Sequence, residues 1–319
     1  MISVGLDVGG TKVLGVAIDL EDPATVLAEQ RVPTPDGGGG LVDTLLGLAG
    51  SLGPSPDMIG VGVPGLVDRA GTLHMGPHLR RLHDVPLAHL LRERSGLPTW
   101  VDNDANCHAL AEQTAGAAAG ANEALVVTLG TGIGAGIITG GRLLQGANGF
   151  AGEPGHMIVD PNGPPCPCGK RGCWERFASG TGLGRLARDA AEGGQLDAAV
   201  ALAGGDPEAV RGEHVTASAR TGDAESLVVL GSFAHWIALG LANLVNILDP
   251  SVIVIGGGLV EAADLLLPEV RTRFLGLVLA GERRPTVRIV PAELGERAGA
   301  IGAALLGIQA IESVSGGGA

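Results

Sequence analysis

One plan of secondary structure occurs twice along the chain. In the first copy an apolar strand, Ile2 to Asp7, runs into a glycine turn and two more strands, after which helices and strands alternate. The second copy begins with the apolar strand Ala124 to Leu129 and repeats this order. Glycine suits such turns because it tolerates positive φ and lets backbone N–H groups approach phosphate oxygens closely. The repetition predicts two α/β units that direct both turns at one ligand across a cleft. The alternative is a single doubly wound α/β sheet.

Two features predict the boundary between the units: a stretch of small residues between the two copies, and a last helix that returns to the first copy. Glycine and alanine residues between 116 and 121 mark a hinge. The helix near 298–311 comes after the second copy and is expected to pack on the first. We therefore expect an N-terminal lobe of residues 1–116 plus 297–319, and a larger C-terminal lobe of residues 117–296.

Charge and hydropathy exclude several classes of partner. The formal net charge is −13, which argues against a surface for nucleic acid or an anionic membrane. The longest run without a formal charge, residues 227–248, is interrupted by His, Asn and Gly, so we predict a buried core helix there and no membrane span. The first residues form a strand and a turn and lack the order of a signal peptide, which predicts a cytoplasmic protein.

Two glycine-rich turns are candidates for binding phosphate. The first, residues 7–12, joins an acid at a strand end to two glycines, a hydroxyl and a lysine. Asp7 is suited to hold Mg²⁺ through water, while the turn amides and Thr11 are suited to hold phosphate. The second, residues 129–136, has glycine at every other position, which leaves room for a polyphosphate. The alternative is that neither turn binds a ligand. The first would then be an ordinary hairpin turn, and the second a site where two strands pack closely.

The segment Val101 to Asn106 ends a buried strand with four polar residues at the start of a helix. Asp104 is expected near the N-cap, where a carboxylate is stabilised by free amides and the helix dipole. Capping alone would explain one such residue but not the whole group. A phosphoryl-transfer enzyme needs a carboxylate that accepts the proton of the attacking alcohol. We assign that role to Asp104, and assign Asn103 to a neighbouring hydroxyl.

One histidine and three cysteines form the most specific pattern. His156, Cys166, Cys168 and Cys173 make a Cys₃His set, and the glycines and prolines between them suit a loop that folds around a metal. Four protein ligands leave no open position, so we predict a structural zinc site. Cys107 lies beside Ala and Leu on a helix and is predicted to be a small core residue instead.

Two glutamates flank this predicted zinc loop. Glu153 precedes the histidine by three residues, and Glu175 follows the last cysteine by two. Carboxylates on a metal-fixed loop are suited to bidentate hydrogen bonds with adjacent sugar hydroxyls. The alternative is that either glutamate hydrogen-bonds a zinc ligand.

Taken together, these motifs resemble the ROK family of repressors and sugar kinases, and within it the bacterial glucokinases. The resemblance extends over essentially the whole chain, and its motifs are DVGGTK, GVPGLVD, VDNDAN, VTLGTGIGAGII, GANGFAGEPGH, CPCGKRGCWERFASG and VIGGG. It implies the actin/hexokinase-like (ribonuclease H-like) α/β fold, with two lobes around a cleft.

The resemblance also implies roles for single residues. It makes Asp104 the general base, and His156 a residue that binds zinc through one ring nitrogen and can face the sugar with the other. The implied sugar contacts are Asn103, Glu153, His156 and Glu175, with Gly65 lining the pocket. The implied zinc ligands are His156, Cys166, Cys168 and Cys173. The positions implied around Mg-ATP are Asp7, Gly9, Gly10, Thr11, Lys12, Thr131, Gly132 and Gly257.

A kinase is favoured over a repressor because no helix-turn-helix segment precedes the first strand at Ile2. The expected reaction is transfer of the ATP γ-phosphate to the 6-hydroxyl of glucose. Alternatives are a kinase of the same family for mannose, fructose, N-acetylglucosamine or N-acetylmannosamine, a polyphosphate-dependent glucokinase, and a non-catalytic sugar sensor. Relatives are commonly dimers or tetramers, so we expect a homodimer or homotetramer.

Overall fold

The computed structural model describes residues 1–36, 40–76, 79 and 82–315, with side chains described up to residue 308. The strands are β1 (Ile2–Val8), β2 (Lys12–Asp19), β3 (Asp22–Pro33), β4 (Met58–Val63), β5 (Leu66–Val67), β6 (Leu73–Met75), β7 (Thr99–Asn103), β8 (Ala124–Leu129), β9 (Ile133–Thr139), β10 (Arg142–Leu143), β11 (Val252–Gly256) and β12 (Arg288–Pro291). The α-helices are α1 (Leu41–Ser51), α2 (Leu87–Ser95), α3 (Asp104–Ala115), α4 (Glu175–Ala178), α5 (Gly180–Glu192), α6 (Asp197–Leu202), α7 (Gly212–Arg220), α8 (Ala224–Leu248), α9 (Ala263–Leu277) and α10 (Ala298–Ser315). Both copies of the predicted plan are present in this order.

The first sheet has the strand order β3-β2-β1-β4-β7. Its first three strands are antiparallel, whereas β4 and β7 run parallel to β1. Side chains alternate between the two faces of β2, so Val13 packs with α1 and α2 while Leu14 and Val16 pack with α3 and α10. Both faces are therefore covered by helices, and β1, β4 and β7 end at the same edge of the sheet.

Glycines in the central strands let α10 pack directly on the backbone of the first sheet. A Cβ at Gly5 would lie 1.8 Å from the carbonyl oxygen of Ala300, and one at Gly60 would lie 1.7 Å from that of Ala303. Any larger residue would push the helix away. The predicted packing of the last helix against the first copy of the plan is confirmed.

The second sheet has the order β10-β9-β8-β11-β12, with β9 and β10 antiparallel and β11 and β12 parallel. By length and composition alone, helix α8 could cross a membrane, but 61% of its most apolar stretch is buried inside the protein. Phe233, Ile237 and Leu241 are at most 1% exposed. That burial is typical of a core helix, as the sequence predicted.

The chain forms two compact units. The first comprises residues 1–126, 135–152 and 292–319, and the second comprises residues 127–134 and 153–291. The predicted lobe boundaries stay a prediction, and residues 316–319 of the predicted N-terminal lobe lie outside the described residues. Segment 135–152 joins the first unit because a Cβ at Gly136 would lie 2.4 Å from the Ala109 Cβ, so β9 lies directly on α3.

Glu112 is a fully buried carboxylate that ties α3 to the segment leading into α10. Its Oε2 accepts the N–H of Ala117 at 2.8 Å, and its Oε1 accepts the N–H groups of Glu293 at 3.1 Å and Leu294 at 3.0 Å. Gly116 leaves the necessary space, since a Cβ there would lie 2.2 Å from Oε2. A buried charge is tolerated when it is hydrogen-bonded in this way.

We expect Glu112→Gln to lower the free energy of unfolding by about 2–4 kcal/mol. The side-chain amide would direct its own N–H group at backbone N–H donors, leaving buried groups without an acceptor. Urea unfolding followed by circular dichroism measures the loss. The exposed Glu282→Gln is the matched control and should change stability by less than about 0.5 kcal/mol. If Glu112→Gln lowered the free energy of unfolding by as little as the control does, this explanation of the buried carboxylate would be wrong.

Candidate active site

Polar residues meet at one edge of the first sheet, where three parallel strands end. Asp7 of β1 pairs with Gly62 of β4, which pairs with Asp102 of β7, so the three lie in one row. Asn103 comes one residue further along β7. In α/β sheets, ligands bind outside the carboxyl ends of parallel strands. The first glycine turn and the VDNDAN segment are therefore at the edge expected for a ligand.

The N-cap of α3 is Asn103, and Asp104 is the next residue, so the expectation that Asp104 lies near the N-cap is confirmed. Oδ1 of Asn103 accepts the N–H of Ala105 at 2.8 Å and that of Asn106 at 3.3 Å. Asp104 is the first helical residue, with Oδ1 2.9 Å from the N–H of Ala105. Asn and Asp are both favourable N-cap residues. Asn103 takes this position here because β7 extends to Asn103 and the helix begins at the next residue. Because Asn103 supplies the N-cap, the helix start does not require an acid at 104.

Asn103 is also linked to Gly65, another predicted sugar contact. Its Nδ2 donates to the carbonyl oxygen of Gly65 at 3.0 Å. Gly65 has φ +118°, and a Cβ there would lie 2.0 Å from the carbonyl oxygen of Met75, so only glycine fits. The Asn103 amide is thus held by both of its polar atoms beside Asp104.

Three ionisable side chains, those of Asp104, His108 and Lys12, act electrostatically on Asp7. Burial raises the pKa of Asp7 to about 6, and the nearby charge of Asp104 acts in the same direction, whereas His108 and Lys12 lower it. Gly299 of α10 packs on this carboxyl group, since a Cβ there would lie 2.6 Å from Cγ. A cation beside Asp7 would favour its ionised form, which is the property required of a magnesium-binding carboxylate.

The first glycine turn is exposed where a ligand would approach. The N–H of Gly9 donates to the carbonyl oxygen of Lys12 at 2.9 Å, which closes the turn and leaves Gly10 and Thr11 at the surface. The ammonium group of Lys12 lies 3.0 Å from a carboxylate oxygen of Glu296, and the two side chains are 49% and 66% exposed. Such exposed ion pairs contribute little stability, so Lys12 can exchange this partner for a phosphate.

A buried network supports the segment that carries Asp104. Asp102 is 3% exposed, and its carboxylate accepts hydrogen bonds from Asn106 Nδ2 at 2.8 Å and Gln145 Nε2 at 2.6 Å. Burial raises the pKa of Asp102, and these hydrogen bonds, with one from the N–H of Asn103, lower it. Gln145 was not singled out from the sequence, because the contact joins residues 43 positions apart.

The second glycine turn belongs to the second unit and is held by Gly257 and by the start of α5. A Cβ at Gly257, which has φ +81°, would lie 2.5 Å from the carbonyl oxygen of Leu129. The N–H of Gly180 donates to the carbonyl oxygen of Gly130, and Oγ1 of Thr181 to that of Thr131, each at 2.7 Å. The amino-terminal end of α5 therefore adjoins the turn. Such ends attract anions.

A cavity of about 800 Å³ opens beside this turn, within the second unit. Its volume is in the range typical of small-molecule sites. It is lined by Leu129, Gly130, Thr131, Gly180, Thr181, Leu183, Gly184, Arg188, Arg211, Gly212, Glu213, Thr216, Arg220, Gly258, Leu259, Glu261 and Ala262. Most of these residues were not predicted. One available signal was the four-residue spacing of Gly180, Gly184 and Arg188, which places them on one face of a helix.

The predicted zinc ligands come together in the second unit. The ligand atoms of His156, Cys166, Cys168 and Cys173 all lie within 4.8 Å of one another. The Sγ atoms of Cys168 and Cys173 are 3.6 Å apart, and Cys166 Sγ is 3.8 Å from His156 Nδ1. Tetrahedral zinc with Zn–S bonds of about 2.3 Å places its sulfur ligands about 3.8 Å apart. The residues therefore fit a closed zinc site.

The loop that carries these ligands is anchored in the core of the second unit. Trp174 follows Cys173 directly and is fully buried. Its indole N–H donates to the carbonyl oxygen of Trp236 at 2.7 Å, and a Cβ at Gly240 would lie 1.9 Å from its ring. Helix α8 thus provides a slot for the indole, which fixes the position of Glu175, the next residue.

Glu175 lies between the predicted zinc ligands and the second glycine turn. Its Oε1 is 3.1 Å from Cys166 Sγ and 3.8 Å from His156 Nδ1. Its Oε2 would lie 2.9 Å from a Cβ at Gly132, so the carboxylate closely approaches that glycine. Glu153 is close in sequence, and its carbonyl oxygen accepts the N–H of His156 at 3.2 Å. Glu175 therefore contacts both a metal-binding cluster and a candidate phosphate turn.

The predicted site residues form one group in each unit. The first unit holds Asp7, Gly9, Gly10, Thr11, Lys12, Gly65, Asn103 and Asp104. The second unit holds Thr131, Gly132, Glu153, His156, Cys166, Cys168, Cys173, Glu175 and Gly257. That both groups act on one pair of substrates stays a prediction.

Comparison with known proteins identifies what this chain is similar to. The model of the ROK family matches residues 3–310. A glucokinase from Streptomyces coelicolor is 36% identical over 308 residues, which cover 95% of this chain and 96% of that protein. A glucokinase from Thermotoga maritima is 34% identical over 94% of this chain and 95% of its own length.

A solved structure agrees with these matches. The ROK family glucokinase from Streptomyces griseus, in complex with glucose and AMPPNP, superposes with a TM-score of 0.84 at 35% identity. The match covers 96% of this chain and 99% of that one. The predicted α/β fold of the actin-like sugar kinases is confirmed.

Proposed function

This chain belongs to the ROK family, and we propose that it is an ATP-dependent glucokinase that converts glucose to glucose 6-phosphate. The observation that carries the proposal is the match, over nearly the full length, to a glucokinase bound to glucose and an ATP analogue. The grouping of polar residues at the edge of the first sheet supports it independently of that match.

We assign the chemical step to the first unit. The 6-hydroxyl oxygen attacks the γ-phosphorus while Asp104 accepts its proton. The new O–P bond forms as the bond between the γ-phosphorus and the bridging oxygen breaks, and ADP leaves with the electron pair. Asn103, held by the Gly65 carbonyl group and by the start of α3, orients a neighbouring hydroxyl.

Residues of both units would bind the phosphates of ATP. We assign the exposed amides of Gly10 and Thr11, together with Lys12, to this role in the first unit. Asp7 fits Mg²⁺ because its carboxylate lies near the end of β1, just before the glycines of the turn, where a bound cation would favour its ionised form. When bound, Mg²⁺ offsets the charge of the phosphate oxygens. In the second unit, the turn at Thr131 and Gly132 has the adjoining helix end that phosphate binding needs.

We assign sugar recognition in the second unit to Glu153, His156 and Glu175. His156 directs Nδ1 towards the cysteines, so Nε2 remains for a sugar hydroxyl. Zinc bound by His156, Cys166, Cys168 and Cys173 would fix the conformation of a loop that has few apolar side chains. Its role is structural because the four ligands leave no open position.

The test is a panel of sugars in a coupled assay of ADP release. Glucose should give the highest kcat/KM of a set that includes mannose, fructose, N-acetylglucosamine and N-acetylmannosamine. Polyphosphate should not replace ATP as donor. A higher kcat/KM for an N-acetylhexosamine would assign a different kinase of the same family, and binding of sugar without turnover would assign a sensor.

Two further properties belong to the proposal. The negative charge of −13 and the burial of α8 favour a cytoplasmic enzyme that does not bind membranes or nucleic acid. A homodimer or homotetramer is expected in solution. Size-exclusion chromatography with light scattering measures the assembly directly.

A further inference from the structure

One face of α5 lines the cavity of the second unit with two glycines and an arginine. Gly180, Gly184 and Arg188 are spaced by four residues, so they lie one above another on the helix. The glycines leave space, whereas Arg188 adds a long planar cation at the end of the row. The cavity therefore has an open part near the second glycine turn and a guanidinium group further along.

The Arg188 side chain lies along the helix and is partly buried. Its NH1 atom is 3.4 Å from the position of a Cβ at Gly184, and it donates to the carbonyl oxygen of Val210 at 3.2 Å. A glycine at 184 therefore lets the guanidinium lie close to the helix backbone. One face of this planar group can then border the cavity.

Arg188 differs from the other two arginines that line the cavity. Arg211 lies 3.6 Å from a carboxylate oxygen of Glu213, and Arg220 makes two hydrogen bonds to Asp264 at 2.6 and 2.9 Å. Among the residues that the structure describes, no carboxylate oxygen lies within 4.0 Å of the Arg188 guanidinium. Its charge is therefore available to a ligand.

The distance along α5 between Gly180 and Arg188 indicates which part of a bound ligand Arg188 would contact. Gly180 adjoins the second glycine turn, and eight residues of α-helix span about 12 Å. If the phosphates lie at the turn, the nucleoside end of the donor lies near Arg188. Planar guanidinium groups stack on aromatic faces, which suits a nucleobase.

We propose that Arg188 is a nucleotide-specificity residue that stacks on the base of the phosphoryl donor. The inference rests on the proposed use of ATP and names the residue that makes a nucleoside triphosphate a better ligand than a bare polyphosphate. It explains why a glycine faces the guanidinium and why the arginine lacks an acidic partner among the described residues.

Calorimetric titration tests this inference without relying on turnover. Arg188→Ala should raise the Kd of Mg-AMPPNP about tenfold and leave the Kd of Mg-tripolyphosphate, which has no base, unchanged. Arg188→Lys keeps the charge but loses the plane, so it should lose most of the same affinity. The control Arg185→Ala, on the same helix but packed on Phe177, should bind Mg-AMPPNP as the unmodified protein does.

Three outcomes would overturn the assignment. Unchanged Mg-AMPPNP affinity in Arg188→Ala would exclude contact with the donor. A parallel loss of tripolyphosphate affinity would move Arg188 to the phosphates, and full affinity in Arg188→Lys would reduce its role to charge. Failure of the unmodified protein to bind Mg-AMPPNP would instead contradict the proposed function.

Discussion

Asp104→Asn is expected to lower kcat for glucose by about 100-fold to 10,000-fold, the range for loss of a general base. Asparagine has the same shape and its Oδ1 can still accept the N–H of Ala105, so α3 should begin as before. It cannot take up the proton of the 6-hydroxyl group. Steady-state kinetics with ATP and glucose measure the change, and calorimetry should show a glucose Kd within about threefold of the original, because binding and proton transfer are separate contributions.

The matched control for this prediction is Asp43→Asn. Asp43 lies on α1 of the same unit, is 69% exposed and pairs with Arg94, so its replacement should leave kcat unchanged. Near-normal turnover in Asp104→Asn would remove Asp104 from the role of base. A loss of glucose binding equal to the loss of kcat would make Asp104 a sugar-binding residue.

The parts of the site that could be predicted from the sequence are those set by local chemistry. The zinc ligands are recognisable because three of them lie within eight residues, with glycines and prolines between them. The glycine turns are recognisable from their clustered glycines. Outside these turns, Gly65 and Gly257 have positive φ and close backbone contacts that tolerate no side chain. Asp104 was identified at the junction of a strand and a helix, where polar residues exceed the needs of a cap.

The parts that could not be predicted depend on contacts between distant segments. Glu112 meets the N–H of Glu293 across 181 positions, and Gln145 meets Asp102 across 43. The need for glycine at position 240 cannot be predicted from the neighbouring sequence, because it arises from the Trp174 ring, which packs against that position of α8. The cavity beside the second turn is likewise built from α5, α7 and the segment after Gly257, which the sequence separates widely.

Removal of zinc is expected to lower both thermal stability and glucose affinity. The order that zinc supplies to a loop of this kind is several kcal/mol, which corresponds to a fall in Tm of about 10 °C or more for a unit of this size. Glucose affinity should fall at least about tenfold, since His156 is a ligand and Glu175 lies beside Cys166. Dialysis against a chelator, followed by melting curves and glucose titration, measures both, and Cys173→Ser should reproduce them.

Cys107→Ala is the matched cysteine control, because Cys107 is buried against Gly62, apart from the metal-binding cluster. Elemental analysis should find one zinc per chain in this variant and in the unmodified protein, and none in Cys173→Ser. Protein purified without zinc would contradict the site itself. If zinc is present but its removal leaves Tm and glucose affinity unchanged, the loop is ordered by Trp174 and α8 alone, and Glu153, His156 and Glu175 do not depend on the metal for their position.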